Sequence, residues 1–166
     1  SHENGALVGF EKSGHFFFNP PVGRGYDDGI VSAIAVCDML DRNPGKSMSD
    51  LLAALPKTWQ SPTMSPHCDD KLKYGVVDRI VQHYQKQAAD GANIAGQPVR
   101  ELITVNGIRV VLQDGTWGLV RASSNKPELV VVVESPTSEE NMHAMFKNID
   151  LLLEDCPEVG EYNQKI

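Results

Sequence analysis

The sequence lacks any apolar run of the roughly 18 residues that a membrane-spanning helix needs, and it shows no leader of charged, apolar and small residues. Positive charge is scarce, because 15 Lys and Arg face 22 Asp and Glu, a net charge of −7. Cysteine is limited to three residues without C-x-x-C or metal-type spacing, which favours buried thiols in a reducing compartment over a disulfide scaffold. We therefore expect a cytoplasmic protein that binds neither nucleic acid nor a membrane, and any anion must be bound locally.

Proline divides the chain. Pro56, Pro62 and Pro66 punctuate a stretch that has no helical period, and such a stretch is typical of a boundary between domains. We expect one domain to comprise residues 1–60 and a second to comprise residues 61–166.

In the first domain the sequence pattern predicts a strand, a loop and two helices, in that order. The predicted elements are a strand at residues 6–10, a loop over residues 11–25, a helix at residues 28–41 capped by Asp27 or Asp28, and a shorter helix begun by Ser47 with Asp50. One strand cannot form a parallel sheet, because a βαβ unit already needs two. This part is therefore a fragment of an α/β layer, and we expect its neighbouring strands to lie upstream.

In the second domain the sequence pattern predicts a helix, an antiparallel sheet and a second helix, in that order. Leu72, Val76, Ile80 and Tyr84 recur at helical spacing. The predicted elements are a helix at residues 70–89, strands at residues 102–105, 108–113, 117–121 and 127–134, and a helix begun by a capping box of Thr137 and Glu140. Asn-Gly and Asp-Gly turns separate the first three strands. The run LVVVV indicates a central strand covered on both sides or nearly so.

Hydrogen-bond donors gather in the turn between the last two predicted strands. Arg121, Ser123, Ser124 and Asn125 offer a guanidinium, two hydroxyls, an amide and backbone N–H groups. Such a set aimed at one point suits phosphate capture. Turns favour these residue types in any case, so a solvated polar turn is the alternative interpretation.

A second polar stretch follows the first predicted strand, where ligands sit in α/β sheets. Glu11 and Ser13 supply a carboxylate and a hydroxyl, which suit the vicinal hydroxyls of a sugar. The alternative is a solvated loop with His15 as a histidine at the edge of the core.

Together these stretches resemble the α-D-phosphohexomutases. The segment "FEKSGH", residues 10–15, is similar to their sugar-binding loop Gly-Glu-Met-Ser-Gly-His. The segment "RASSNKPELVVVVE", residues 121–134, is similar to their C-terminal phosphate-binding loop, Arg-x-Ser-Asn-Thr-x-Pro before an apolar strand. Phe10, Ser124 and Asn125 depart from the usual residues of these loops. Within the family, the two segments most resemble those of the bacterial phosphomannomutase/phosphoglucomutase branch.

The resemblance implies a fold and a set of roles. It implies the end of a three-layer α/β third domain, followed by a fourth domain with a TATA-box-binding-protein-like sheet. Glu11 and Ser13 would read sugar hydroxyls, whereas Arg121, Ser123, Ser124 and Asn125 would bind phosphate. The partners implied are hexose phosphates, with mannose or glucose as the sugar, and the missing N-terminal domains of the same protein.

The resemblance also implies what this chain does not supply. The family uses a phosphoserine in a Thr-Ala-Ser-His-Asn-Pro loop and Mg²⁺ held by an Asp-x-Asp-x-Asp loop, and neither motif occurs in the sequence. We therefore expect no catalytic residue and no metal site in this chain, whereas the full-length isomerase would use Mg²⁺. Asp27-Asp28 and Asp69-Asp70 are interpreted as helix caps. Two alternatives remain: a mutase that acts on an amino sugar phosphate such as glucosamine phosphate, and a free-standing anion-binding module without catalysis.

Overall fold

A computed structural model describes residues 5–11 and 14–166 and divides the chain into two units, which meet in sequence between Leu55 and Pro56. The first unit contains β1 (Val8–Phe10), β2 (Phe16–Phe18), α1 (Gly29–Asp41) and α2 (Met48–Ala53). The second contains β3 (Trp59–Gln60), β4 (Pro66–Cys68), α3 (Lys73–Ala89), β5 (Val99–Ile103), β6 (Ile108–Leu112), β7 (Trp117–Ala122), β8 (Leu129–Ser135), α4 (Glu139–Glu154) and β9 (Val159–Tyr162). No helix of the described chain combines the length and the apolar character needed to cross a membrane.

The first unit begins with a hairpin that the sequence did not predict. β1 and β2 pair antiparallel, with Val8 opposite Phe18. The prediction of one continuous loop over residues 11–25 is therefore wrong, because three consecutive phenylalanines favour a strand. In the turn, the N–H of Gly14 donates to the carbonyl of Glu11 at 3.0 Å, and Gly14 has a φ of 89°, a conformation that favours glycine.

Both helices of the first unit begin with the predicted caps. The carboxylate of Asp28 accepts from the N–H of Ile30 at 2.9 Å and of Val31 at 3.1 Å. At the start of α2, Ser47 and Asp50 form a reciprocal capping box. Such caps satisfy N–H groups that have no partner inside a helix.

The second unit is built on a five-stranded antiparallel sheet with the strand order β3-β8-β7-β6-β5. The Asn106-Gly107 and Asp114-Gly115 turns connect β5 to β6 and β6 to β7, as predicted. A smaller sheet, which the sequence did not predict, pairs β4 with β9 and sets Pro66 opposite Tyr162. The chain thus has the predicted combination of an α/β part and a helix–antiparallel sheet–helix part.

α3 and α4 both pack on one face of this sheet. Alternate residues of β8, Leu129, Val131 and Val133, belong to the same core cluster as the buried residues of both helices. The hydroxyl of Tyr84 on α3 bonds the side chain of Asn148 on α4 at 2.9 Å. The second unit places no helix on the opposite face, so helices cover the LVVVV strand on one side only.

The other two predicted helix caps are wrong. α3 begins at Lys73, after Leu72, and no side chain caps it. Asp69 instead accepts from the N–H of Lys71 at 2.8 Å and so closes the preceding turn. α4 is capped by Ser138, which accepts from the N–H of Asn141 at 3.1 Å, and the neighbouring Thr137 turns its hydroxyl to Asp114.

Asp114 joins the β6–β7 turn to the start of α4. Its carboxylate accepts from the hydroxyl of Thr116 at 2.8 Å, from that of Thr137 at 2.6 Å and from the amide of Asn141 at 3.0 Å. Burial alone would raise the pKa of Asp114, but the hydrogen bonds from Thr137 and Thr116 outweigh it and hold the pKa well below its ordinary value of 3.8.

We expect Asp114→Asn to lower the free energy of unfolding near neutral pH by about 2 kcal/mol, since hydrogen bonds to charged groups contribute about 1.5–3 kcal/mol each. A depressed carboxyl pKa stabilises the folded state above the unfolded pKa, and this contribution is lost as the pH falls towards the folded pKa. The difference from the unchanged protein should therefore shrink below the ordinary pKa of 3.8. Urea unfolding at several pH values measures this difference in the free energy of unfolding. Asp78→Asn, at an exposed position, is the control. A difference that is zero at neutral pH, or that grows in acid, would contradict this expectation.

The first unit leaves apolar side chains in solvent. Neither α1 nor α2 contains a buried residue, and Ile30 and Ile34 are 75% and 63% exposed although they lie one turn apart on α1. A helix of this composition is typical of the interior of a larger layer.

We expect backbone amides of α1 and α2 to exchange hydrogen much faster than those of α3 and α4, because local opening of the first unit exposes little additional apolar surface. Hydrogen exchange on the dilute chain, followed by mass spectrometry, measures this difference. Strong and uniform protection across residues 6–55 in a monomer would show the expectation to be wrong.

Candidate functional site

Pairing between β7 and β8 builds the candidate site. Arg121 lies opposite Val130, and Ala122 lies opposite Leu129. The connecting loop is closed at its base by the N–H of Ser123, which donates to the carbonyl of Glu128 at 3.0 Å. We call residues 123–126 the donor loop. The structure thus brings together four of the predicted site residues, Arg121, Ser123, Ser124 and Asn125, at one end of the sheet.

Arg121 is half-buried and has no ion pair with a carboxylate among the described residues. Its Nη1 donates to the carbonyl of Ala122 at 3.0 Å, which holds the side chain near the strand end. A guanidinium has five N–H donors. Most of them are therefore not engaged by the described chain.

The residues of the donor loop differ in exposure. Ser123 is 8% exposed, whereas Ser124 and Asn125 are exposed. The N–H groups of Ser124 and Asn125 donate to no acceptor in the part of the chain that the structure describes. The outer part of the loop therefore offers backbone and side-chain donors on the same short segment.

The Asn106-Gly107 turn touches the backbone of β7 beside Arg121. A Cβ atom on Gly107 would lie 2.7 Å from the Cα of Arg121, and Gly107 has a φ of 75°. Only glycine fits both the conformation and the close approach. This contact fixes the strand end from which Arg121 projects.

Lys73 is the residue of this site that sequence reasoning missed. Its ammonium donates to the carbonyls of Ser123 at 2.6 Å and Lys126 at 3.0 Å and is buried beneath the donor loop. Val76, Ile80 and Tyr84 are buried as predicted, but the first member of the predicted stripe, Leu72, is 47% exposed. Lys73 lies on the buried face in its place, next to Val76 and Val77. A lysine at helical spacing from apolar core positions was the available signal.

The predicted sugar-reading residues lie in the first unit. Glu11 follows β1 directly and is exposed, and its backbone N–H donates to the carbonyl of His15 at 3.0 Å. Ser13 lies outside the described residues. His15, which the alternative interpretation placed at the edge of the core, is exposed, with its Nε2 3.8 Å from a carboxylate oxygen of Asp27.

The acidic pairs have structural partners. Asp28 caps α1, Asp69 closes the turn before α3, and Asp70 accepts from the Lys73 ammonium at 2.6 Å. Within residues 5–11 and 14–166 no group of three or more His, Cys, Asp or Glu side chains is arranged to hold a metal ion. The described residues therefore do not fit the Mg²⁺ that the family resemblance implies for a whole enzyme.

Family comparisons match both parts of the chain. The description "Phosphoglucomutase/phosphomannomutase, alpha/beta/alpha domain III" matches residues 1–59, and "Phosphoglucomutase/phosphomannomutase, C-terminal domain" matches residues 68–152. The chain belongs to the phosphoglucomutase/phosphomannomutase family. The predicted family is thereby confirmed, as is the predicted fold class.

Curated relatives include a phosphomannomutase/phosphoglucomutase of Pseudomonas syringae, 33% identical over 83% of this chain and 27% of that protein. The enzyme of that name from Pseudomonas aeruginosa is 32% identical over 88% of this chain and 29% of its own length. A probable phosphoglucosamine mutase of Methanothermobacter thermautotrophicus is 30% identical over 83% of this chain and 28% of its own length. This chain therefore spans less than a third of the length of these relatives.

A solved structure supports the fold. The crystal structure of a phosphoglucomutase/phosphomannomutase family protein from Burkholderia thailandensis matches with a TM-score of 0.70 and 24% identity, over 98% of this chain and 31% of that one.

Proposed function

We propose that this chain is the C-terminal part of a phosphomannomutase/phosphoglucomutase and that it binds the phosphate and hydroxyl groups of a hexose phosphate. Residues 1–60 would form the end of the third domain, and residues 61–166 would form the fourth. The observation that carries the proposal is the cluster of donors at the end of β7. There a guanidinium that has no carboxylate partner among the described residues lies beside a loop with exposed donors.

The chemistry of the donor loop suits a phosphate that is held but not transferred. Arg121 supplies a planar fork for two phosphate oxygens. Ser123, Ser124 and Asn125 supply hydroxyl, amide and backbone donors for the remaining oxygens. No nucleophile is needed for this role, since the loop only has to hold one end of the substrate.

Glu11 and Ser13 would bind the hydroxyl groups of the sugar. A carboxylate accepts two hydrogen bonds, which matches two neighbouring hydroxyls, and a serine hydroxyl both gives and accepts. Exposure of Glu11 directly after β1 leaves its side chain on the surface of the hairpin turn.

In the whole protein, we propose that hexose 1-phosphate and hexose 6-phosphate interconvert by intramolecular phosphoryl transfer. A substrate of this kind must present each end in turn to the reacting group, so one fixed phosphate site would hold whichever phosphate is not reacting. The phosphoserine loop and the Mg²⁺ loop would come from other domains of that protein. This chain alone should show no turnover.

An amino sugar phosphate is the second candidate substrate, because a relative named as a probable phosphoglucosamine mutase is 30% identical. Comparative kinetics of the full-length protein on mannose, glucose and glucosamine phosphates would separate the two. Equal or higher catalytic efficiency on glucosamine phosphate would favour the second candidate.

The Arg121 side chain should decide phosphate affinity in this chain. We expect inorganic phosphate to bind at about 1 mM, about −4 kcal/mol, since the other domains are not there to add contacts. Arg121→Ala should abolish this binding, and Arg121→Lys should restore only part of it because a point charge lacks the planar fork. Phosphorus NMR titration measures the affinity.

Arg100→Ala is the matched control, because Arg100 is exposed on β5 and its loss changes the net charge equally. It should bind phosphate as the unchanged chain does. If Arg100→Ala and Arg121→Ala weaken phosphate binding equally, the effect is due to net charge alone, and the proposed site is wrong.

In the full-length protein, Glu11→Gln should lower catalytic efficiency on hexose phosphates by about tenfold or more. A neutral amide loses charge-assisted hydrogen bonds of about 1.5–3 kcal/mol each. Phosphorylation of the enzyme's serine by a phosphate donor should stay unchanged, since it does not depend on reading sugar hydroxyls. Unaltered steady-state kinetics in this variant would remove Glu11 from the site.

A further inference from the structure

Lys73 occupies a position that disfavours a lysine on two grounds. It is only 3% exposed, and lysine is almost never fully buried unless it is paired. It is also the first residue of α3, where the helix dipole opposes a positive charge. The stability of α3 alone therefore does not explain why a lysine occupies this position. The explanation must lie in the contacts that the Lys73 side chain makes.

Those contacts use all the donors that an ammonium has. The three N–H groups of Lys73 meet the carboxylate of Asp70 at 2.6 Å, the carbonyl of Ser123 at 2.6 Å and the carbonyl of Lys126 at 3.0 Å. The two carbonyls belong to the first and last residues of the donor loop. Lys73 therefore ties both ends of that loop to the start of α3.

This arrangement sets the direction of one backbone donor. In a planar trans peptide the C=O and the following N–H point in opposite directions. Because the carbonyl of Ser123 points at the buried ammonium, the N–H of Ser124 points away from it. The carbonyl of Lys126 is followed by Pro127, which has no N–H to orient.

Two further carbonyls next to the loop accept hydrogen bonds from backbone N–H groups. The carbonyl of Pro127 accepts from the N–H of Cys68 at 2.9 Å, and that of Glu128 accepts from the N–H of Ser123 at 3.0 Å. The carbonyls at both ends of the loop are therefore engaged by donors of the chain, whereas the N–H groups of Ser124 and Asn125 donate to no acceptor among the described residues.

We propose that Lys73 is a positioning residue for phosphate binding: it turns the end carbonyls of the donor loop inwards so that the N–H of Ser124 faces the anion. This role rests on the phosphate-binding function proposed above. Lys73 does not itself contact the phosphate, because its three donors are already engaged.

The test compares Lys73→Met with Lys71→Met in this chain, with inorganic phosphate as the probe. Lys71 is exposed two residues away, and its side chain makes no ion pair with the described residues, so it controls for the loss of one positive charge. We expect Lys73→Met to weaken phosphate binding by at least tenfold and to shift the amide signals of Ser124 and Asn125. Lys71→Met should change the affinity by less than twofold.

The outcomes separate this inference from the proposed function. If the unchanged chain binds phosphate and Lys73→Met binds it within twofold, the positioning role is wrong and the phosphate site stands. If the unchanged chain does not bind phosphate at all, the proposed function fails and the inference fails with it. A tenfold loss with signals of the sheet core unmoved supports the positioning role, because general unfolding would move the core signals too.

If Lys73→Met does not fold, nitrogen-15 NMR of the lysine side chains in the unchanged chain decides instead. The Lys73 ammonium signal should persist against exchange with solvent, and it should shift as phosphate saturates the loop. An ammonium signal that stays unshifted at saturation would overturn the role of Lys73.

Discussion

The register between β7 and β8 is the constraint on which the candidate site depends. Leu129, Val131 and Val133 enter the core beneath α3 and α4, so β8 cannot slip by one residue without turning its buried set outwards. In this register Arg121 lies opposite Val130, and both side chains point to the face that carries no helix. The apolar pattern that stabilises the sheet therefore also decides where the guanidinium points.

An acidic protein has to attract an anion locally. The chain carries a net charge of −7, yet Arg121 has no carboxylate partner among the described residues, and the buried Lys73 ammonium lies beneath the same loop. Aspartates elsewhere are engaged in caps and turns, as Asp28 and Asp69 show. The Lys73 ammonium is balanced by the carboxylate of Asp70 at 2.6 Å. Local backbone geometry and the Arg121 guanidinium thus set the character of the loop against the overall charge.

Sequence reasoning succeeded where the interactions are local. The Asn106-Gly107 turn and the Ser47 capping box depend on neighbours within a few residues, so the pattern predicted them. It failed where partners are distant: the short strand that begins at Pro66 is defined by pairing with Tyr162. Lys73 was missed for the same reason, because its acceptors lie about fifty residues further along the chain. The residues of the donor loop could be proposed as one group from the sequence because the loop is contiguous, and their role stays a prediction.

Amide chemical-shift mapping of this chain with glucose 1-phosphate would locate the phosphate site directly. We expect the largest shifts on residues 121–126, above all on Ser124 and Asn125, and little change in the buried strand that follows them. Saturable shifts that are largest in another part of the chain, or no saturable shift at all, would contradict the assignment and would leave the loop as a polar turn.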